Sequence, residues 1–467
     1  MLRILYGTAG TGKSAAIMDE IRRGADSGER YILLVPEQYS HEAERELCAV
    51  CGDGLSLYAE VLSFTGLARE VSSECGGAAN EYLDKGGRLL CMALAADGLY
   101  SRLHVYGAAR RKAELQTMLL GAVDEFKSAC VTSERLLDAA ETCEGALGDK
   151  LHDLGLILEA YDGVVANGRT DPSDRLSVLA QQIGQCSMSE RTHVFVDGFT
   201  DFTAQERRVL EALLLKGVRL TVCLGCDELH GGSEVFALSR ITASALLKFA
   251  ADNGIKAQTE RFGGESIKAK PLGEFCENMF SYRAVEAGDA QGRIKIISAA
   301  DTNAECEFAA AEAVSLVRDT GCRWRDIAVC AKGFDDYRLP LESAFSRFGA
   351  PIYTARKADM LSKPLPMLIE SAYEIILGGW EADDVFDYLR TGFGGLDTDE
   401  CDELENYVFM WQLHGSAWTR AENWRLHPEG YGKQPDEASE QTLEQINLLR
   451  ETARRPLMRF AENAAAA

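Results

Sequence analysis

Eight consecutive residues, Gly7, Thr8, Ala9, Gly10, Thr11, Gly12, Lys13 and Ser14, have the types and order that hold a nucleoside triphosphate. They fit the pattern G-x-x-x-x-G-K-[ST] without a mismatch. The glycines let the backbone curl so that successive amide N–H groups turn toward phosphate oxygens. Lys13 can reach the outer phosphates, and the Ser14 hydroxyl can ligate Mg²⁺. ATP with Mg²⁺ is the expected ligand. A second magnesium contact is expected from Asp197, at the end of the apolar run in HVFVDGFTDF. This is the position of a Walker B aspartate, although an ordinary strand-end Asp also fits. Hydrolysis needs a further carboxylate to orient water. The next residue is Gly198, where helicase-class motors carry Glu, and Asp201 is badly spaced to replace it. Binding with slow turnover is therefore expected.

The cysteines offer a second chemistry. Cys48/Cys51 and Cys223/Cys226 have C-x-x-C spacing, which can hold a metal or an iron–sulfur cluster. Metal-binding pairs normally sit on exposed knuckles, whereas these lie in a helix end (ERELCAVCG) and an apolar run (RLTVCLGC). Buried thiols are the preferred reading for them and for the other cysteines among the 14, such as Cys91 and Cys330.

Positioning these groups requires a strand before the glycine loop and a helix after it. Arg3–Tyr6 and Ser14–Arg23 supply them. Strands are predicted at Tyr31–Val35 and Leu57–Val61, a helix from a Ser40 cap through Val50, and another capped by Ser63. Close alternation of this kind predicts a parallel sheet with helices on both faces. From about Ala78 to Gly184 apolar residues recur at helical spacing. Strands return at His193–Val196 and Leu220–Leu224, so the first sheet is expected to resume after a helical insertion. A second α/β unit is predicted from strands at Arg293–Ser298, Asp326–Ala331 and Ile352–Thr354. Thr302 and Glu305 form a capping-box pattern within it. From Pro364 the chain reads as helical, with Trp380, Trp411, Trp418 and Trp424 concentrated there.

Composition narrows the function classes. Of 467 residues, 46% are hydrophobic and 26% charged, as in an ordinary globular protein of about three domains. Lys plus Arg is 49 against 73 Asp plus Glu, a formal charge of −24. Such a chain repels phosphate backbones on average, so nucleic acid would need a local groove. No apolar run is long enough for a membrane span, and MLRILYGTAG does not read as a signal peptide. A reduced cytoplasm, with no membrane partner, is the expected setting.

Several runs carry a family likeness. GTAGTGKS, LLVPEQYSHEAERE, EVLSFTGLARE, VFVDGFTDFTAQE, DIAVCAKGFDDY, KPLPMLIESAYEIILGGW, DDVFDYLRTGF and ELENYVFMW resemble, in order, the AddB (RexB) subunit family of bacterial AddAB-type helicase–nucleases. The resemblance implies an α/β fold with two RecA-like P-loop domains of superfamily 1 helicase type, each carrying an all-helical insertion. Mapped here, these are residues 1–77 and 189–290 for the first RecA-like domain and 78–188 for its insertion. Residues 291–363 would begin the second domain, and 364–467 would be part of its insertion. It also implies an AddA-type partner in a heterodimer, single- and double-stranded DNA ends as substrate, and double-strand break repair by homologous recombination. In this family the helicase part scans single-stranded DNA for a Chi signal as a degenerate motor, and the missing Glu after Asp197 agrees.

There are departures. The family's C-terminal nuclease domain and its iron–sulfur cluster have no counterpart in these residues, so neither is expected here. Six residues precede Gly7, too few for the upstream glutamine motif that reads adenine. Lys332 stands where active relatives have an arginine. By position in helicase-like domains, Gln38, Ser63, Phe64, Thr65, Phe199 and Phe202 would line the strand channel. Aromatic faces suit base stacking and polar side chains suit base edges or phosphates, although Phe64 and Phe199 equally suit a core. Arg69 and the triplet Arg110, Arg111, Lys112 read at least as well as solvated helix faces. The alternatives are an autonomous P-loop ATPase or phosphotransferase acting on a small substrate, and a scaffold with a vestigial nucleotide site.

Overall fold

A computed structural model describes residues 1–52, 54–76, 82–166, 168–263, 270–279, 292–354 and 360–466. The chain divides into two compact units, residues 1–296 and 297–467.

The first unit is built on one six-stranded, wholly parallel sheet: β1 (Leu2–Gly7), β2 (Arg30–Leu34), β3 (Ala59–Leu62), β4 (Thr192–Val196), β5 (Arg219–Gly225) and β6 (Ala257–Arg261), in the order β3-β2-β4-β5-β1-β6. Strands buried on both faces read as continuous apolar runs, and alternate residues then serve opposite cores. Leu2, Ile4, Ile32, Leu34, Val194, Val196, Leu220 and Val222 face one core, with α3 (Phe64–Glu74), α8 (Arg175–Gln182), α9 (Ala204–Leu215) and α10 (Ala237–Asp252) over them. Leu5, Tyr31, Leu33, Phe195 and Cys223 face the other, under α1 (Lys13–Arg23) and α2 (Ser40–Cys51). This is the α/β, helix-covered parallel sheet that the sequence predicts. Edge strand β6 was not foreseen: all five of its side chains are exposed, so AQTER carries no apolar signal.

Between β3 and β4 the described chain is helical. Helices α4 (Lys85–Gly98), α5 (Ala113–Ser128), α6 (Ser133–Thr142) and α7 (Ala146–Ala166) enclose their own core around Met92, Leu119, Ile157 and Tyr161. Its charged groups are internally matched. Lys127 donates to Asp171 at 3.1 Å and to Asp174 at 2.7 Å, and Arg88 pairs with Asp124 and Asp171. Asp171 is fully buried. Burial alone would raise its carboxyl, yet the Ser173 amide, Lys127 and Arg88 hold it below the usual range. Helix α11 (Lys270–Asn278) closes the described part of this unit.

The second unit packs α12 (Thr302–Thr320) on α13 (Phe334–Arg347) around Cys306, Leu341 and Phe345. A larger core joins α14 (Pro364–Gly378), α15 (Ala382–Arg390), α16 (Thr398–Met410), α17 (Ser416–Thr419) and α18 (Glu437–Ala466). Trp380, Trp418 and Trp424 are buried in it. Arg450, 3% exposed, donates to the carbonyls of Trp418, Arg420 and Glu422 at 3.0, 2.6 and 2.9 Å and lies over the Trp424 ring.

Four expectations change; the first is that Ser40 is the opening residue of α2, behind Tyr39, and not its cap. The strands foreseen at 293–298, 326–331 and 352–354 do not form, and no strand occurs among the described residues of the second unit. A buried parallel strand needs a ladder on each side. Without one, Ile296 and Tyr353 are 94% and 90% exposed. Cys330 is consequently exposed as well, and Cys48 stands on the open face of α2, so neither is a buried thiol. The cap of α12 is Asp301, not Thr302. The Asp301 carboxylate accepts from the Ala304 amide at 2.8 Å, and Thr302 becomes the first helical residue. Among the described residues no helix is long and apolar enough to cross a membrane.

Candidate functional site

Because every strand is parallel, the carboxyl ends of β1 to β5 open on one edge of the sheet. Ligands of open α/β folds bind at that edge. The glycine loop leaves β1 there, Pro36–Tyr39 leaves β2, Ser63 leaves β3 and Asp197 leaves β4.

Glycine loop and α1 form a unit suited to anions. Gly10 and Gly12 have φ of 84° and 86°, a left-handed backbone that a β-carbon disfavours. Gly12 caps α1 without a side chain, so no hydroxyl or carboxylate competes for the first-turn amides. That turn holds no acidic residue, while Arg22 and Arg23 occupy the last turn, which leaves the positive end of the helix dipole uncompensated. The Lys13 ammonium folds over the loop and donates to the carbonyls of Gly7 at 2.7 Å and Thr8 at 2.8 Å. Burial pulls its pKa down, against the opposing pull of Cys223 and Asp197. A phosphate would satisfy the charge that these carbonyl dipoles only partly balance. Ser14, exposed at the second position of α1, can add its hydroxyl.

Asp197 continues the ladder by donating its amide to Leu34 at 3.0 Å, which fixes its half-buried side chain at the sheet edge. Its Oδ1 accepts from the Gly198 amide at 2.9 Å. The β4–β5 register pairs Val196 with Val222, so Cys223 is the neighbour of Asp197 across the ladder. Burial, then the charge of the Asp197 carboxylate, drive the Cys223 pKa well upward. Tyr39 completes the surroundings. Burial first, then its hydrogen bond to Glu46, with Asp197 contributing, push its phenol up to about 12. From sequence Cys223 was read only as half of a C-x-x-C pair and Tyr39 was not singled out; placing either beside Asp197 requires the order and register of the strands.

Position 198 does more than lack a carboxylate. Its φ is +83°, and an added β-carbon would stand 3.1 Å from Pro36 Cδ. The left-handed backbone favours glycine, and a β-carbon there would need Pro36 to give by a few tenths of an ångström.

Among the channel candidates the structure separates polar from packed groups. Gln38 is exposed in the short turn after β2. The Thr65 hydroxyl is 3.4 Å from Glu37 Oε2. Ser63 caps α3 by accepting from Gly66 at 3.1 Å. Phe64 is 5% exposed and packs edge-on against Phe199 and Phe202, centroids 5.5 and 6.2 Å away. Phe199 and Phe202 keep half-exposed rings 5.2 Å apart. Thr203, next in the chain, forms a capping box with Glu206. Arg69 is exposed, whereas Arg110 and Arg111 are both paired with Asp97, at 2.9 and 3.1 Å. Lys332 is exposed in the second unit. Cys223 and Cys226 are both buried; the first neighbours Asp197 across the ladder, and the second donates to the Glu228 carbonyl at 2.9 Å.

The chain is similar to known proteins over nearly all of its length. Residues 4–272 match the family model described as "ADDB, N-terminal". The chain is 31% identical over 476 residues to an ATP-dependent helicase/deoxyribonuclease subunit of Acetivibrio thermocellus, covering 98% of this chain and 41% of that protein. It is 33% identical over 492 residues to the protein of the same name from Desulforudis audaxviator, covering 100% and 42%. The corresponding protein of Caldanaerobacter subterraneus is 30% identical over 98% of this chain and 41% of its own length. The chain thus spans about two fifths of the curated relatives it matches.

Proposed function

The chain belongs to the AddB N-terminal family, and from that premise we propose that it is the ATP-binding, helicase-like part of a subunit of a DNA-end-processing helicase–nuclease. The observation that carries the proposal is the phosphate loop on β1, with Lys13 and Asp197 meeting at one sheet edge, in a chain similar to named helicase/deoxyribonuclease subunits over nearly all its length. In this reading the first unit is a RecA-like P-loop domain interrupted by a helical insertion, and the second begins another. The loop amides, Lys13 and Ser14 would hold ATP, and Ser14 with Asp197 would hold Mg²⁺, which supplies charge neutralisation at the outer phosphates. Position 198, shaped for glycine, supports nucleotide binding without fast turnover. The subunit would then scan single-stranded DNA for a Chi-type signal. Gln38, Thr65, Phe199 and Phe202 are the accessible groups offered to it, Ser63 and Phe64 their support. An AddA-type partner would supply the motor, and the setting would be repair of double-strand breaks in the cytoplasm.

Co-expression with an AddA-type subunit, followed by photo-crosslinking to single-stranded DNA, tests this. Co-purification with crosslinks near Gln38, Thr65 and Phe199 is expected. Absence of both, with phosphate transfer to a small metabolite in the absence of DNA, would favour an autonomous P-loop enzyme.

A further inference from the structure

The helical layer of the first unit holds a constellation that nucleotide and DNA binding leave unused. His104 lies on the loop between α4 and α5, and His152 and Asp153 are consecutive on α7. One donor atom from each falls within 4.8 Å of the others. His104 and His152 border an open cavity of about 490 Å³ whose wall also carries Asp149, Glu141 and Cys143.

The geometry points to a site for a divalent transition metal of the zinc class, with His104, His152 and Asp153 as ligands. Two observations carry it. His152 Nδ1 is buried and makes no hydrogen bond; Asp153 Oδ1 is 3.6 Å away, too far to accept one. Two atoms each ~2.0–2.1 Å from one tetrahedral ion lie ~3.4 Å apart, close to this spacing. In addition, the backbone that carries the set is held in place. Asp153 accepts from the amides of His104, Val105 and Tyr106 at 2.9, 2.7 and 3.1 Å, which fastens the loop bearing His104 to α7. Asp149 Oδ1 stands 3.3 Å from His104 Nδ1, the carboxylate–histidine contact that leaves Nε2 for a metal. Imidazole with carboxylate selects borderline ions such as Zn²⁺ over Mg²⁺ or Ca²⁺. The two rings now stack in parallel with centroids 5.0 Å apart, so the exposed His104 ring must turn to bring its lone pair toward the shared point.

Tag-free, metal-stripped chain titrated with Zn²⁺, and separately with Co²⁺ for its visible spectrum, tests the site. One ion per chain is expected, with affinity falling ~10-fold or more in His104→Ala and in His152→Ala and the Co²⁺ bands lost. Metal-free melting of both variants reports their folding, and His104→Gln on the exposed loop provides a milder substitution. No binding, or binding whose affinity and spectrum survive both histidine changes because thiols hold the ion, overturns the assignment.

Discussion

In the proposed function two residues carry opposite halves of the nucleotide chemistry. Lys13 supplies a cation that loop carbonyls only partly satisfy, so its exchange for Ala removes a charge-assisted contact worth ~1.5–3 kcal/mol. Lys13→Ala should weaken ATP-Mg²⁺ binding by about 10- to 100-fold in a fluorescent-nucleotide titration. An unchanged affinity would instead favour a vestigial site. Gly198 is the other half. Gly198→Glu restores the carboxylate of an active motor in name, but it places a β-carbon on left-handed backbone beside Pro36. We expect about 1–3 kcal/mol lost in stability and no gain in turnover. A marked rise in turnover would show that only the carboxylate was missing. The place of the loop between β1 and α1 was legible in sequence because it is one contiguous run. The adjacency of Cys223 and Asp197 was not, since the two residues are 26 positions apart and are brought together by strand register.

At the scale of elements, local signals were read best where they were both local and apolar. β1, β2, β4 and β5 announced themselves by buried runs, and Ser63 by its place before a helix. β6 escaped because an edge strand with exposed side chains has no pattern beyond its ladder. The strands expected after residue 292 erred the other way: Ile296 and Tyr353 have strand-like types, yet a type does not supply a neighbour. The α12 cap shows the finer limit, a choice between adjacent capping residues decided by backbone geometry. Asp301→Ala should therefore cost about 1 kcal/mol in the urea unfolding of this unit. Thr302→Ala, inside the helix, should leave stability level or slightly higher. The reverse ranking would restore the Thr302 cap.

Across the whole molecule, the acidic balance and a buried imidazole shape how the fold responds to pH. His193 on β4 stacks on Phe195 at 4.1 Å and pairs with the Thr221 hydroxyl at 3.0 Å. Burial, then Arg219 and Arg3, lower its pKa from 6.5 to about 3. An unfolded chain takes up this proton below pH ~6.5, while the fold refuses it until far lower. The contribution is thus fully present above 6.5 and is lost as pH falls toward 3, by about 2 kcal/mol at pH 5. Urea midpoints at pH 7 and 5 should fall less for His193→Gln than for the parent chain. Equal slopes would mean that the imidazole is not held neutral. The central claim concerns turnover: a phosphate cradle on a sheet edge whose left-handed backbone at position 198 disfavours a water-orienting carboxylate. Its most direct measurement is ATP affinity and steady-state hydrolysis on the same preparation, with and without single-stranded DNA. The account predicts saturable ATP-Mg²⁺ binding and slow hydrolysis that DNA does not raise to a motor's rate. Rapid DNA-stimulated hydrolysis that disappears in Lys13→Ala would contradict it.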